Sequence, residues 1–548
     1  MMGVIDVTSL SRKFLIAVLA AALALGVSCK EKPQPGAAEV TLPENPPPQD
    51  VAAVAAIFPG RPLVFIYAPD LSAFVATSRG SGPARRYLDS QGVKRFRESR
   101  LLQKLEVRFN ELAGQVQDGL APGDLTPLAG DRSGLALYDI GELKFIYASK
   151  VALGALTQTA LWAARERGEE LQVKGTPCYR LEPGGGGSAL YFGAANDFLI
   201  VSNMDGGFQD AFARALTDGP LPGSLLDDPG FKTAFPARLR VHSLLLFLDQ
   251  AALADNPYFL HYWIYRNFDD VSWIESALID LEIKGGAWRE ERFYVSRNIP
   301  GSAGNRDLSP CLRLVSEGLF GECSAVADER EAGAFLGSLV PGDQDEVAKL
   351  LAPAGPQAAG SAARIKWSDD RFFFGLARTA VIELKSPRGL DLDGLRGLTA
   401  RELGARAFGE GGGRLEWRKD EYGTSCALPL FKGEALWMDQ AGAFLVVSSD
   451  GALHKQVLDL ARAAKGRDQG QAVKFSGVYR STWDTAMAGD DFRKAADLLG
   501  RYDSWPHAQS DVAVQQDLQG IVDAIGPGTL TREAVREGNM VRETIRME

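Results

Sequence analysis

The chain has 548 residues, with 60 Lys and Arg against 70 Asp and Glu for a net charge of −10, and it is 45% hydrophobic and 24% charged. This is ordinary globular usage, which excludes a disordered chain, a fibrous chain and a polytopic membrane protein. The acidic balance argues against nucleic acid as a partner, and four histidines with five cysteines leave little material for metal centres.

Arg12 and Lys13 precede an apolar run, Phe14 to Val27, that closes on Gly26-Val27-Ser28-Cys29. The run has the length of a secretory h-region and is short of the ~20 apolar residues a spanning helix needs. Small residues before a cysteine resemble a bacterial lipobox. That resemblance implies a lipoprotein signal peptide over residues 1–28, cleavage before Cys29 and lipidation of its thiol. Leu25 stands one place earlier than the usual lipobox leucine, and Lys30 follows the cysteine, which favours the outer membrane, facing the periplasm. Residues 29–51 read as a Pro-rich tether, with six prolines between positions 30 and 50.

The body then divides into 52–300 and 301–548, each expected to be one α+β repeat with a largely antiparallel sheet and packed helices. In the first repeat, strands are expected at Leu63–Tyr67, Leu135–Tyr138, Leu143–Ala148, Phe198–Ser202 and Leu239–Leu248, and helices at Ala84–Gln115 and Leu153–Arg167. The Gly184–Gly187 run reads as a hairpin loop and Gly411–Gly413 as a similar break. The repeats are suggested by paired strings. Gly175-Thr176-Pro177-Cys178 matches Gly423-Thr424-Ser425-Cys426, and Phe198-Leu199-Ile200-Val201-Ser202 matches Phe444-Leu445-Val446-Val447-Ser448. Each second string leads into a helix, Gly207–Leu216 or Gly451–Ala461. Upstream, Gly134–Tyr138 is set against Phe374–Ala377; downstream, Arg292–Val295 against Asn539–Arg542.

A Leu-Ala-Leu-Tyr strand leading to a Phe-Leu-Ile-Val-Ser strand and helix resembles an uncharacterised, duplicated domain-of-unknown-function family of bacterial envelope proteins. The resemblance implies an exported protein and brings no catalytic residues.

No nucleophile elbow, phosphate loop, zinc spacing or calcium loop is present, so no catalytic residue, metal or cofactor is expected. His242, His261, His454 and His507 are scattered; His242 reads as part of an apolar strand. Asp391-Leu392-Asp393-Gly394 reads as a helix N-cap. With Cys29 set aside, Cys311 and Cys323 are spaced for a local disulfide, while Cys178 and Cys426 are either bridged or separately buried. The densest unusual segment runs from Tyr258 to Phe268. Its aromatic residues Tyr258, Phe259, Tyr262, Trp263, Tyr265 and Phe268 suit either a buried seam helix or a binding surface. Together these features lead us to expect a non-catalytic, membrane-anchored lipoprotein acting as an interaction or assembly subunit with a protein partner in the envelope. A binding module for a lipid, glycan or peptide between the repeats, or an unrecognised hydrolase, are the competing expectations.

Overall fold

The structure is a computed structural model that describes residues 44–80, 100–116, 128–183, 187–237, 239–256, 274–284, 287–297, 304–315, 319–337, 339–368, 373–409, 415–428, 435–463, 474–487 and 528–547. It is a mixture of helix and strand with extensive antiparallel pairing. The chain forms two compact units, Met1–Pro300 with Gly538–Arg542, and Gly301–Glu537 with Glu543–Glu548.

The N-terminal unit runs α1 (Gln49–Ala55), β1 (Val64–Asp70), α2 (Leu71–Gly80), α3 (Arg100–Ala113), β2 (Asp131–Asp139), β3 (Lys144–Lys150), α4 (Leu153–Leu156) and α5 (Ala160–Ala163). It continues through β4 (Glu169–Val173), β5 (Thr176–Leu181), β6 (Leu190–Ala195), β7 (Phe198–Ser202), α6 (Asp205–Ala215), α7 (Pro229–Ala234), β8 (Leu244–Asp249), α8 (Gln250–Ala254), β9 (Ser276–Lys284) and β10 (Ala287–Val295). Its antiparallel ladder has the order β4-β5-β6-β7-β3-β2-β1-β8-β9-β10.

Helices cover both faces of this sheet, so its central strands are apolar on both sides rather than alternating. Phe65, Tyr67, Ile146, Ile200, Leu245 and Phe247 point to a cluster with Val54 of α1, Phe208 and Phe212 of α6 and Phe231 of α7. Val64, Ile66, Leu246 and Ile279 point the other way, toward Phe74 of α2 and Leu253 of α8. Asp228 and Asp249 start α7 and α8 by accepting from the backbone N–H groups of Phe231 and Ala252, each at 2.9 Å.

The C-terminal unit runs β11 (Arg306–Asp307), α9 (Ser309–Val315), β12 (Phe320–Ala325), α10 (Glu329–Leu336), α11 (Gln344–Leu351), β13 (Pro356–Ser368), β14 (Phe373–Leu384) and α12 (Leu392–Phe408). It continues with β15 (Trp417–Lys419), β16 (Thr424–Ala427), β17 (Ala435–Ala441), β18 (Phe444–Ser448), α13 (Gly451–Ala463), β19 (Ser476–Gly477), β20 (Tyr479–Asp484), β21 (Thr529–Glu537) and β22 (Met540–Met547), whose residues Met540 to Arg542 belong to the N-terminal unit. Its ladder has the order β15-β16-β17-β18-β14-β13-β12-β20-β21. One face packs against α9 and α13 through Cys323, Ala362, Val381 and Val446; the other packs against α10, α11 and α12 through Ala359, Ile382, Met438 and Val447. The N-cap expected at Asp391 is present, accepting from Gly394 N at 2.8 Å.

Several expectations are corrected. The tether does not reach residue 51, because α1 begins at Gln49 and buries Val51 at 1% exposure. Leu153–Arg167 is not one helix: Thr159 accepts from Trp162 N at 3.2 Å and starts a new one, leaving α4, α5 and a 3-10 turn over Ala164–Arg167. The strand expected from Leu239 begins only at Leu244, so His242 lies outside it. Gly134–Tyr138 and Phe374–Ala377 do not correspond, since β2 lies between β1 and β3 whereas β14 lies between β13 and β18.

The two Gly-Thr-x-Cys strings are likewise out of step. Tyr191 pairs with Ser202 and Trp437 with Ser448; one place earlier, Leu190 pairs with Leu181 while Leu436 pairs with Cys426. Cys178 and Cys426 therefore hold different ladder positions. They are separate buried thiols, not a bridge. Of the helix expected over 84–115, Arg100–Ala113 is observed and 84–99 lies outside the described residues. Cys29, Tyr258–Phe268, 184–186 and 411–413 lie outside them too.

Candidate functional site

A dense meeting of polar side chains lies in the C-terminal unit, where the β15–β16 hairpin meets the start of α13. Its centre is Asp439 of β17. Asp439 Oδ2 accepts from Thr424 N at 2.7 Å and from His454 Nε2 at 3.0 Å; Oδ1 accepts from Thr424 Oγ1 at 2.8 Å and Arg396 Nη2 at 2.9 Å. Burial works to raise its pKa, but the hydrogen bonds from His454 and Thr424 outweigh it and hold the carboxyl below its ordinary range. Arg396 of α12 lies over the Trp417 ring at 5.8 Å and accepts the Trp417 indole N–H through its carbonyl at 2.9 Å. Beside them, Trp437 Nε1 donates to Asp420 Oδ2 at 3.0 Å, and Tyr422 meets Trp437 edge-on. Gly423 has φ 149°, and a Cβ there would stand 2.5 Å from Asp439 Oδ2. The close approach of hairpin to carboxylate requires glycine.

This arrangement joins hairpin, strand and helix. His454 is fully buried, and its Nδ1 has no hydrogen-bond partner among the described residues. The Thr424 hydroxyl donates to the Asp439 carboxylate and not to the imidazole.

A second His–Asp pair lies in the N-terminal unit. Asp280, 2% exposed, accepts from His242 N at 3.0 Å and meets His242 Nδ1 at 2.5 Å. Burial raises the pKa of Asp280 against the opposing effect of those bonds. Buried Glu290 and Arg292 form an ion pair on β10, with Arg292 Nε donating at 2.6 Å. The Cys178 thiol is pushed up to about 11 by burial and nearby Glu170, and burial raises Cys426 as well; both are protonated and unreactive at neutral pH. Cys311 and Cys323 are joined as a disulfide with Cα atoms 6.3 Å apart.

One cleft of about 600 Å³ opens between α11 and α12, lined by Glu346, Lys349, Leu350, Asp393, Gly397 and Arg401. Glu346 and Arg401 pair at 2.8 Å beside it. Among the described residues no group of three or more His, Cys, Asp or Glu is placed to hold a metal ion, and no helix is long and apolar enough to cross a membrane.

Sequence reading singled out His454 and passed over its partners Asp439, Thr424 and Arg396. The available signal was Asp439 itself, the one acid inside the largely apolar Leu436–Val447 hairpin. The chain matches no protein-family model, no curated protein and no solved structure.

Proposed function

We propose that the chain is an exported, lipid-anchored, non-catalytic subunit of envelope assemblies, built from two diverged copies of one α+β fold. The observation that carries the export reading is the Cys311–Cys323 disulfide, both of whose cysteines are fully buried. Structural disulfides persist in oxidising compartments and are rare in the cytosol. The basic-apolar-Cys29 pattern of the first thirty residues points the same way.

Three features support the duplication. Read side by side, the ladder orders superimpose strand for strand, β4 on β15 through β9 on β21. Registers follow: Ile146 pairs with Ser202 as Thr379 pairs with Ser448. Gly134 and Gly360 then fall at one ladder position, opposite Tyr67 and Cys323. The non-catalytic reading is supported by the use of the titratable side chains, whose partners are structural: Asp439 ties a hairpin to a helix, and Asp280 holds the segment before β8.

Cell fractionation with thiol alkylation before and after reduction tests the proposal. Membrane recovery with Cys311 and Cys323 alkylated only after reduction is expected; free alkylation in the untreated cell overturns export. Stoichiometric co-purification of one envelope protein from detergent-solubilised membranes is expected for an assembly subunit.

The α11–α12 cleft favours a second reading, a binding module, because its volume falls in the ~300–1,000 Å³ range of small-molecule sites. With both signs of charge at its rim, it suits a zwitterionic or polar ligand. A ligand whose binding is lost in Arg401→Ala would select this reading.

A further inference from the structure

The disulfide occupies a particular niche. Gly360 of β13 has no side chain, and a Cβ there would collide with Cys311 Sγ and lie 2.8 Å from Cys323 Sγ. Around it the strands carry small residues, Ala325, Ala358 and Ala362, so the bridge with Leu312, Val315 and Leu458 fills the space between α9 and the sheet. The N-terminal unit has the same notch at Gly134. There a Cβ would meet Val54 and the Phe58 ring at 2.8 Å, and large side chains, Phe58, Phe65 and Tyr67, do the filling. One unit closes its notch with side-chain volume available in any compartment; the other closes it with a covalent bond. The helix carrying Cys311 has 7 residues, a length with little intrinsic stability.

We propose that the Cys311–Cys323 bridge is the core plug of the C-terminal unit, making packing of that unit, and not of the N-terminal unit, conditional on an oxidising compartment. Only the equivalence of the two notches rests on the duplication above, and only the cellular setting rests on export. On formation, the two thiols lose two protons and two electrons as the S–S bond forms. A disulfide-bearing protein oxidant of the envelope takes them up, its own S–S bond opening to two thiols. Before that step, α9 packs on β12 through apolar side chains without the covalent link. Loss of loop-closure restraint over the 12-residue separation loosens it.

Each unit carries its own reporter, a buried free thiol: Cys178 in the N-terminal unit and Cys426 in the C-terminal unit. The test compares purified full chain, oxidised, with the Cys311→Ala/Cys323→Ala variant, reading maleimide addition at each reporter by mass spectrometry. We expect Cys426 to react on the order of a hundredfold faster in the variant, with Cys178 unchanged. Complete unfolding of the C-terminal unit alone gives the same pattern and also supports the proposal. Unchanged protection of Cys426, or equal exposure of both thiols, overturns it. The same comparison on the unsubstituted chain, refolded from urea with and without dithiothreitol, removes dependence on the alanine substitutions. All of these readouts use purified protein, so they stand apart from the cell alkylation that tests export.

Discussion

Ser202 and Ser448 share two hydrogen bonds at the ends of two different strands. Each hydroxyl donates to a carbonyl on the adjacent strand, Phe145 O at 2.7 Å or Arg378 O at 3.2 Å, and accepts from the backbone N–H two residues on, Met204 at 3.0 Å or Asp450 at 3.1 Å. The next residue repeats the match: Asn203 Oδ1 accepts from Phe145 N and Ser449 Oγ from Arg378 N, both at 3.0 Å. In both places the serine turns a strand into a helix while satisfying backbone groups that the turn would leave bare.

From this turn, residues can be compared one by one. Phe208 N bonds to Met204 O as His454 N bonds to Asp450 O, and Gly193 pairs with Ile200 as Asp439 pairs with Val446. Where one unit has Phe208 and Gly193, the other has His454 and Asp439. We expect His454→Phe or Asp439→Gly alone to cost about 1–3 kcal/mol, the first removing one of the bonds to Asp439 and the second leaving His454 Nε2 without its partner. The joint variant should cost less than the sum, with a coupling of about 0.5–3 kcal/mol. Urea unfolding of the full cycle decides; strict additivity would show that the pair does not act as a unit.

Acid should affect the two units oppositely. The depressed pKa of Asp439 contributes stability that is present above the unfolded value of ~3.9 and is lost as pH falls through the lower folded value. Asp280 is raised, so its ionisation costs stability that grows as pH rises from ~3.9 through the folded value. Urea midpoints taken by pulse proteolysis at decreasing pH should show the C-terminal unit weakening first, and Asp439→Asn should flatten that loss. An unchanged pH profile in Asp439→Asn removes Asp439 as the cause.

At Gly134 an alanine Cβ would stand 2.8 Å from Val54 and Phe58, well inside contact distance. Gly134→Ala is expected to lower stability by about 1–3 kcal/mol through overpacking. Thermal unfolding checks this. A neutral result would mean that α1 shifts freely over the sheet.

For the N-terminus, Cys29→Ala should abolish labelling by an alkyne fatty acid and release the chain from membranes or stall its processing. Labelling that persists in the variant sinks the lipidation proposal.

The reach of the sequence follows from which forces act locally. Phe198–Ser202 and the cap at Asp391 were readable because strand period and capping chemistry are written in adjacent residues. Leu153–Arg167 misled because its apolar spacing continues through Thr159, whose hydroxyl competes for the backbone. The Asp439 cluster was invisible because Arg396, Thr424 and His454 come from separate elements, brought together only by the ladder. The glycines at Gly134 and Gly360 were hidden likewise: each leaves room for what packs above it, Val54 and Phe58 in one place and the disulfide sulfurs in the other.

The contrast between His454–Asp439 and Phe208–Gly193 bears on how such a chain survives its own synthesis. On the proposed duplication, two copies of one topology emerging in succession would invite an exchange in which a strand of the second completes the sheet of the first. A β17 strand placed where β6 belongs would set the Asp439 carboxylate against the Phe212 ring and Cys178, which crowd Gly193, without the His454 and Arg396 that pair with it in its own unit, and burying an unpaired charge is heavily penalised. On that proposal, unlike cores on like scaffolds would act as a sorting rule, in which each half rejects the strands of the other.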